Sequence, residues 1–141
     1  MISKFNLAFY ILLSGISLHV SGCDEPEING VEQLNGKMTG YFIRSSPTTR
    51  YRPISVSFNF TDNTFEGTSE LDHFPAICNG TYLLGDNSIE LSNSCVWTAD
   101  FDWTLILQGK WLIYEQDGKI IISRDHGNGL MDRYELQPNK E

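Results

Sequence analysis

The sequence predicts an all-β fold, a small antiparallel meander of about eight short strands that closes into a barrel. Apolar and polar residues alternate in short stretches, as they do in strands with one buried face. Three pairs of stretches are separated by a tight turn signal: Asp62-Asn63, Asp86-Asn87 and Asp117-Gly118. These residue types accept the positive φ of a type I′ hairpin loop. A closed barrel is favoured because it leaves no exposed edge strand.

The central hairpin is predicted over residues 76–97, with its turn at Asp86-Asn87. Cys78 and Cys95 lie equally far from this turn on the two strands, so they should face each other. Counting outward from the turn, they fall in a non-hydrogen-bonded pair, whose Cα atoms lie about 4.5 Å apart. A disulfide accepts that separation. We therefore expect a Cys78–Cys95 disulfide across this hairpin.

Two further hairpins flank the central one. Residues 54–69 turn at Asp62-Asn63, which places Phe60 opposite Phe65 and Phe58 opposite Gly67. Residues 111–124 turn at Asp117-Gly118, a strong type I′ pair. In the first of these hairpins the intervening side chains are mostly polar and should point outward.

The remaining strands are predicted at residues 37–44 and 130–137, where they open and close the meander. Residues 103–108 are also predicted as a strand, because their odd positions are apolar and alternate with the even ones. A short helix beginning near Thr98 is an alternative, because apolar residues also recur four positions apart at Phe101 and Leu105 and at Trp103 and Leu107. Glycines within the strand patterns, at positions 40, 67, 80 and 109, suit the bends of a small barrel.

Residues 1–22 have the features of a signal peptide. Lys4 supplies the positive charge, residues 5–13 form the apolar core, and small residues precede Cys23. The apolar run is too short and too interrupted for a transmembrane helix, which needs about 20 apolar residues. We expect the leader to be removed.

The junction Val20-Ser21-Gly22-Cys23 resembles the lipobox of bacterial lipoproteins. The resemblance implies cleavage before Cys23 and acylation of that cysteine, which would anchor the chain in a membrane. Residues 23–36 are acidic and lack a period, so we interpret them as a lipidated tether. The domain would then span residues 37–137, followed by a tail at 138–141. The expected location is the envelope of a gram-negative bacterium, at the periplasmic or surface face of the outer membrane.

The charge balance excludes one class of partner. The chain carries a net charge of −8, and removal of Lys4 with the leader would make it more negative. Nucleic-acid binding requires a basic surface, so we expect no nucleic-acid partner. The acyl chains on Cys23, rather than a basic patch, would hold the protein at the membrane.

Two family resemblances follow from longer patterns. Cys78-Asn79-Gly80-Thr81-Tyr82, the hairpin after it and Cys95 resemble the centre of META-type domains. The lipobox, the acidic tether, the meander and the closing Asp132-Arg133-Tyr134-Glu135-Leu136 resemble small lipocalin-like lipoproteins of gram-negative bacteria. Both resemblances imply a small β-barrel in the envelope, and neither implies a defined activity.

No reactive constellation stands out in the sequence. His73 and His126 are expected in solvated loops, and no metal-ligand spacing is present, so we predict no metal and no cofactor. Asp100 and Asp102 could serve as a hydrolytic carboxylate pair, lying about 7 Å apart if the segment is extended. Because aspartates are common in turns, we predict that the protein is not an enzyme.

Aromatic residues are the remaining candidates for a binding site. Tryptophans at the mouth of a barrel could stack on a sugar or hold an apolar ligand, although filling the core is the commoner role. The candidate lining residues are Trp97, Trp103, Trp111 and Tyr82. We expect a non-catalytic envelope lipoprotein whose barrel binds a protein partner or a small ligand. An envelope inhibitor of a protease or lysozyme is the first alternative, and a hydrolase using Asp100 and Asp102 is the second.

Overall fold

A computed structural model describes residues 29–139 as a closed barrel of eight antiparallel strands in meander order. The predicted fold class is thus confirmed. The strands are β1 Gly36–Ser45, β2 Ile54–Thr61, β3 Thr64–Ser69, β4 Asn79–Leu84, β5 Ser88–Asn93, β6 Gly109–Gln116, β7 Lys119–Gly127 and β8 Leu130–Pro138. The predicted leader, Cys23 with its lipidation, the first residues of the tether and the last two residues lie outside the described range.

The two flanking hairpins form in the predicted register. Phe58 pairs with Gly67 across β2 and β3, and Ile113 pairs with Ile122 across β6 and β7. The turn residues Asp62 and Asn63 have φ values of 48° and 62°, as a type I′ turn requires. A Cβ at Gly67 would overlap Ile77 and crowd the ring of Phe58, so glycine is required where this aromatic ring covers the backbone.

The central hairpin has the predicted register but a different turn. Tyr82 pairs with Leu91, as expected from symmetry about positions 86 and 87. Neither Asp86 nor Asn87 adopts a positive φ, so the prediction of a type I′ turn is wrong here. The disulfide joins Cys78 and Cys95, whose Cα atoms are 6.3 Å apart. This Cα–Cα distance is longer than that of two directly paired strand residues. The reason is that β4 begins just after Cys78 and β5 ends before Cys95, so neither cysteine lies within a strand.

The barrel closes between its first and last strands. Phe42 on β1 pairs with Tyr134 on β8, and the register continues to Arg44 opposite Asp132. The strands approach closely at Gly40, where a Cβ would overlap the backbone carbonyl oxygen of Glu135. A residue with a side chain would therefore push the two strands apart at this position.

Side chains fill the barrel interior, and most of them are aromatic or branched. The ring centroids of Phe42 and Tyr134 lie 5.0 Å apart, and the ring of Trp111 packs 5.6 Å from that of Tyr134. Burial of these large apolar surfaces is the main source of stability in a domain of this size. The buried apolar residues of the strands are Met38, Phe42, Ile54, Val56, Phe58, Phe60, Phe65, Tyr82, Ile89, Leu91, Trp111, Ile113, Ile120, Ile121, Ile122, Tyr134 and Leu136.

The two ends of the barrel differ. One end, here called the turn end, carries the three hairpin turns and both ends of the described chain. Residues 29–35 pack against it, with Val31 and Leu34 buried and the Tyr82 hydroxyl donating to the Leu34 carbonyl at 2.9 Å. These residues had been predicted as tether, and that prediction is wrong because their apolar side chains complete the core.

The opposite end, here called the loop end, carries the longer connections at residues 46–53, 70–78 and 94–108 and the turn at 128–129. Trp103–Leu105 forms a 3₁₀ helix, so the prediction of a strand from 103 to 108 is wrong. Ala76 then pairs in parallel with this segment through hydrogen bonds to Leu105 and Leu107. Three consecutive apolar side chains are buried at positions 105–107, and they close the loop end. Within residues 29–139 no helix has the length and hydropathy to cross a bilayer.

Candidate functional site

Polar and charged side chains meet at the loop end of the barrel, in a set of five residues that we call the polar cluster: Arg44, Asp102, Thr104, His126 and Asp132. At its centre Arg44 binds Asp132 in a bidentate ion pair. The distances are 2.6 Å from Nε to Oδ1 and 2.7 Å from Nη2 to Oδ2. Both side chains are almost fully buried, at 3% and 1% exposure. Such a pair is stable only where hydrogen bonds satisfy the remaining polar atoms.

His126 supplies a second contact to the buried carboxylate. Its Nε2 lies 2.8 Å from Asp132 Oδ2, and its side chain is only 12% exposed. The prediction of a solvated loop histidine is therefore wrong. His126 belongs to β7, and strand alternation turns Ile122, Arg124 and His126 toward the same interior face.

Arg44 also connects the barrel wall to the segment that closes it. Its Nη1 donates to Asp102 Oδ2 at 3.1 Å, and its Nη2 donates to Thr104 Oγ1 at 3.0 Å. The Thr104 hydroxyl in turn donates to Asp102 Oδ1 at 2.6 Å, and its backbone nitrogen donates to the same oxygen. Asp102 thus caps the 3₁₀ helix while its other oxygen binds Arg44.

A second arginine lies beside the cluster. The guanidinium of Arg124 stacks 4.1 Å from the ring centroid of Trp111, within the range of a cation–π interaction. Its Nη1 donates to the Gln108 carbonyl at 2.7 Å, which fixes the end of the closing segment. Burial lowers the pKa of Arg124, although the nearby Asp132 acts in the opposite direction.

The electrostatics of the cluster favour charged pairs. Burial alone would lower the pKa of Arg44, but its hydrogen bonds and its proximity to Asp132 and Asp102 raise the pKa above its ordinary value. Partial burial would raise the pKa of Asp102, yet the hydrogen bonds from Thr104 and the charge of Arg44 lower it. Burial and the charge of Asp132 raise the pKa of Tyr134 well above its ordinary value. These groups therefore keep their ordinary charges near neutral pH.

The hydrogen bonds of the polar cluster join β1, β7 and β8 to the segment that closes the loop end. Nucleophilic catalysis requires a base within hydrogen-bond reach of the nucleophile. The hydroxyl in the cluster belongs to Thr104, and it is engaged by Asp102 and Arg44 rather than by His126. Among residues 29–139 no group of three or more His, Cys, Asp or Glu side chains is arranged to hold a metal ion.

The two carboxylates of the predicted hydrolytic pair, Asp100 and Asp102, lie in different environments. Asp100 is exposed, whereas Asp102 binds Thr104 and Arg44. A general acid needs a pKa raised toward the working pH, and the pKa of Asp102 is lowered. The hydrogen bonds of Asp102 instead account for its position at the start of the 3₁₀ helix.

The aromatic candidates occupy different environments and line no common mouth. Trp111 is buried in the core and Tyr82 lies near the turn end. Trp97 is half-buried and stacks 5.4 Å from Phe101, while Trp103 is 53% exposed at the loop end. The interior of the barrel is occupied by the buried side chains of the core.

Concave surfaces are found on the outside of the barrel. A groove of about 690 Å³ crosses β5, β6, β7 and the start of β8, with Leu112 and Met131 as its exposed apolar residues. Two further grooves, of about 560 and 670 Å³, lie on the face formed by β8, β1, β2 and β3. The grooves therefore suit a ligand or partner that binds to the wall rather than within it.

The sequence contained one signal for the polar cluster. Arg44 lies two residues after the inward-facing Phe42 of β1, and Asp132 lies two residues before the inward-facing Tyr134 of β8, so both occupy inward positions. In a closed meander these two strands are neighbours, so opposite charges at inward positions would be expected to pair.

Comparison with protein-family models, curated proteins and solved structures gave no match to this chain.

Proposed function

We propose that this chain is a lipid-anchored, non-catalytic module of the gram-negative cell envelope that binds a protein partner through its loop end. The observation that carries the proposal is a barrel whose interior is filled while its loop end is rigidly held. A filled interior favours a protein partner over an enclosed small ligand. The lipobox-like junction at Cys23 supports the anchor.

The packing of residues 29–35 supports an orientation of the barrel relative to the membrane. Residues 29–35 pack on the turn end, so the segment from Cys23 reaches the barrel there. Five residues lie between Cys23 and Asn29, so the two are at most about 22 Å apart. An acylated Cys23 would therefore hold the turn end near the bilayer and direct the loop end away from it.

The loop end has the features of a protein-binding surface. Trp103 is 53% exposed and Val96 is 98% exposed, although both side chains are apolar. Tryptophan is enriched among the residues that dominate binding energy. The Cys78–Cys95 disulfide and the Arg44–Asp102 contact restrain the segments that carry them. Restraint before binding reduces the entropy lost in the complex.

The partner interaction can be tested by crosslinking in whole cells followed by mass spectrometry. Trp103→Ala should remove the crosslinked partner, and Leu112→Ala is the matched control because Leu112 is 50% exposed on the barrel wall. Retention of the partner by Trp103→Ala together with its loss in Leu112→Ala would contradict the loop-end assignment. A purified partner with hydrolase activity would identify the inhibitor alternative if the protein lowered that activity.

The anchor requires a separate test. Mass spectrometry of the N-terminal peptide should show cleavage before Cys23 and acylation of that residue. Cys23→Ala should release the protein from the membrane fraction. An unmodified Cys23 in membrane-extracted protein would refute the lipoprotein proposal without affecting the loop-end test.

The hydrolase alternative receives less support from the geometry. The lowered pKa of Asp102 and its contacts with Arg44 and Thr104 favour a structural role. Turnover of a glycoside or peptide substrate that disappears in the Asp100→Asn, Asp102→Asn double variant would overturn the non-catalytic assignment.

A further inference from the structure

The outer face of β8, β1, β2 and β3 carries a continuous shallow groove. The two concave regions on this face share three residues, Thr39, Ser57 and Thr68. All three bear hydroxyl groups and lie at outward positions of their strands. We call this region, together with Gln137 and Tyr41, the hydroxyl face.

The strand register aligns the polar groups of the hydroxyl face in one row. Gln137 pairs with Thr39, Thr39 with Ser57, and Ser57 with Thr68. Neighbouring strands lie about 4.8 Å apart, so the row presents a polar group at each such interval. The hydroxyls of Ser57 and Thr68 are 2.9 Å apart and share one hydrogen bond, which leaves further donor and acceptor capacity for a ligand.

One aromatic ring stands beside this row. Tyr41 is 53% exposed and pairs with Ser55 at the next outward position of β1. It lines the same groove as Thr39 and Ser57. Tyr41 therefore adds to the polar row an exposed ring with an apolar face and a polar hydroxyl, and such a ring can stack on a ligand.

The charges in the groove fit an uncharged ligand. The charged residue among those lining the Tyr41 groove is Glu70, and it is hydrogen-bonded to Arg52 at 3.1 Å. In the adjoining groove Lys37 is accompanied by Glu66. The chain as a whole is acidic, which disfavours polyanions. An array of hydroxyls and amides beside an aromatic ring is complementary to a sugar chain, which offers hydroxyls at its edges and C–H groups on its ring faces.

We propose that the hydroxyl face binds an uncharged polysaccharide. One sugar ring stacks on Tyr41, and its neighbours along the chain form hydrogen bonds with the row from Gln137 to Thr68. This site is separate from the loop end, so the barrel would hold a glycan on its wall and a protein at its distal end. Binding of this kind is shallow and depends on several sugar units.

The test is retention of the full-length protein, purified in detergent, on insoluble chitin, cellulose and cross-linked dextran. We expect retention on at least one polymer and release by its soluble oligosaccharide. Tyr41→Ala should weaken binding about two- to twelvefold, since an aromatic stacking contact contributes about 0.5–1.5 kcal/mol. Tyr41→Phe should retain most of the binding because the ring is preserved. Thr68→Val should weaken binding while leaving the ring in place.

Trp103→Ala is measured in parallel, to test the loop end. The matched control is Leu83→Ala, because Leu83 is an exposed apolar residue on the outer side of β4 and lies outside the hydroxyl face. It should bind the polymer as the wild type does. The urea midpoint of each variant establishes that the barrel is folded. Failure to bind any of the three polymers would overturn the proposal, as would equal binding by folded Tyr41→Ala. Loss of glycan binding in Trp103→Ala alone would assign the glycan to the loop end instead.

Discussion

Arg44 and Asp132 face each other directly across the seam that closes the barrel, and their side chains form a bidentate ion pair in its interior. Arg44 is in the first strand and Asp132 is in the last, 88 residues apart. The pair therefore joins the two ends of the meander. Because Arg44 also binds Asp102, the same guanidinium fixes the segment that covers the loop end.

Removal of either partner should destabilise the fold strongly. Arg44→Ala leaves Asp132 buried without its main counter-charge, and Asp132→Ala leaves the arginine in the same condition. Breaking a buried pair on one side costs about 3–5 kcal/mol. Urea unfolding, followed by the fluorescence of the buried Trp111, measures the free energy of unfolding.

A double replacement separates the cost of an unpaired buried charge from the cost of lost side-chain packing. Arg44→Met combined with Asp132→Leu should recover much of the loss, because no uncompensated charge remains. Arg52→Ala is the control, since the Arg52–Glu70 pair is exposed to solvent and exposed ion pairs contribute little to stability. Equal effects of Arg44→Ala and Arg52→Ala would show that the buried pair is not important to stability.

The disulfide should contribute measurably to stability. Replacing both Cys78 and Cys95 with alanine should lower the free energy of unfolding by about 3 kcal/mol, as expected for a loop closed over a separation of 17 residues. The hairpin itself should survive, because its strands pair independently of the cysteines. Reducing agent should lower the urea midpoint of the wild type and leave that of the double variant unchanged. Free Cys78 and Cys95 thiols in exported protein would contradict this prediction.

Gly40 should tolerate no side chain. Gly40→Ala places a Cβ against the carbonyl oxygen of Glu135, and a backbone atom cannot rotate away as a side chain can. We expect a loss of about 1–3 kcal/mol, which is typical of overpacking. Gly127→Asn is the control, since Gly127 has open space around it and the cost there is limited to its φ of 84°, which asparagine tolerates better than most residues do. Comparable losses in the two variants would show that backbone approach at the seam is not the cause.

Stability should decline in acid partly through Asp102. Its pKa is lowered in the folded protein, so its contribution is present above the ordinary value of 3.8 and is lost as the pH falls through the folded-state pKa. The side chain is 52% exposed, and we expect the contribution to stay below about 1 kcal/mol. Asp102→Asn preserves the cap and removes the charge, so it should flatten the acid side of the stability profile. Asp100→Asn is the matched control, and an identical flattening in both variants would contradict the role of Arg44.

The hairpins could be predicted because their determinants are local. Asp62-Asn63 and Asp117-Gly118 specify the turn, and the turn together with alternation specifies the register. The turn at Asp86-Asn87 shows the limit of this reasoning, since the register follows from symmetry even though the turn geometry is different. The strand predicted over residues 103–108 was wrong because burial of the loop end outweighs local alternation.

The polar cluster could not be predicted from local patterns. His126 lies in a Gly- and Asp-rich stretch that is typical of a loop, yet β7 extends through it and turns the imidazole inward. Arg44 and Asp132 are far apart in the chain and meet because the barrel closes. The buried packing of Val31 and Leu34 likewise depends on an open barrel end that needs covering.

The sequence by itself determined the all-β class, the three reversals, the register of the three hairpins that they form and the partner of each barrel cysteine. Those features depend on residues close together in the chain, where turn chemistry and the period of two are sufficient. The tertiary structure alone decided which charges are buried, how the two ends are covered and where the tryptophans lie. These features depend on contacts between residues distant in sequence, and such contacts form only when the first and last strands meet.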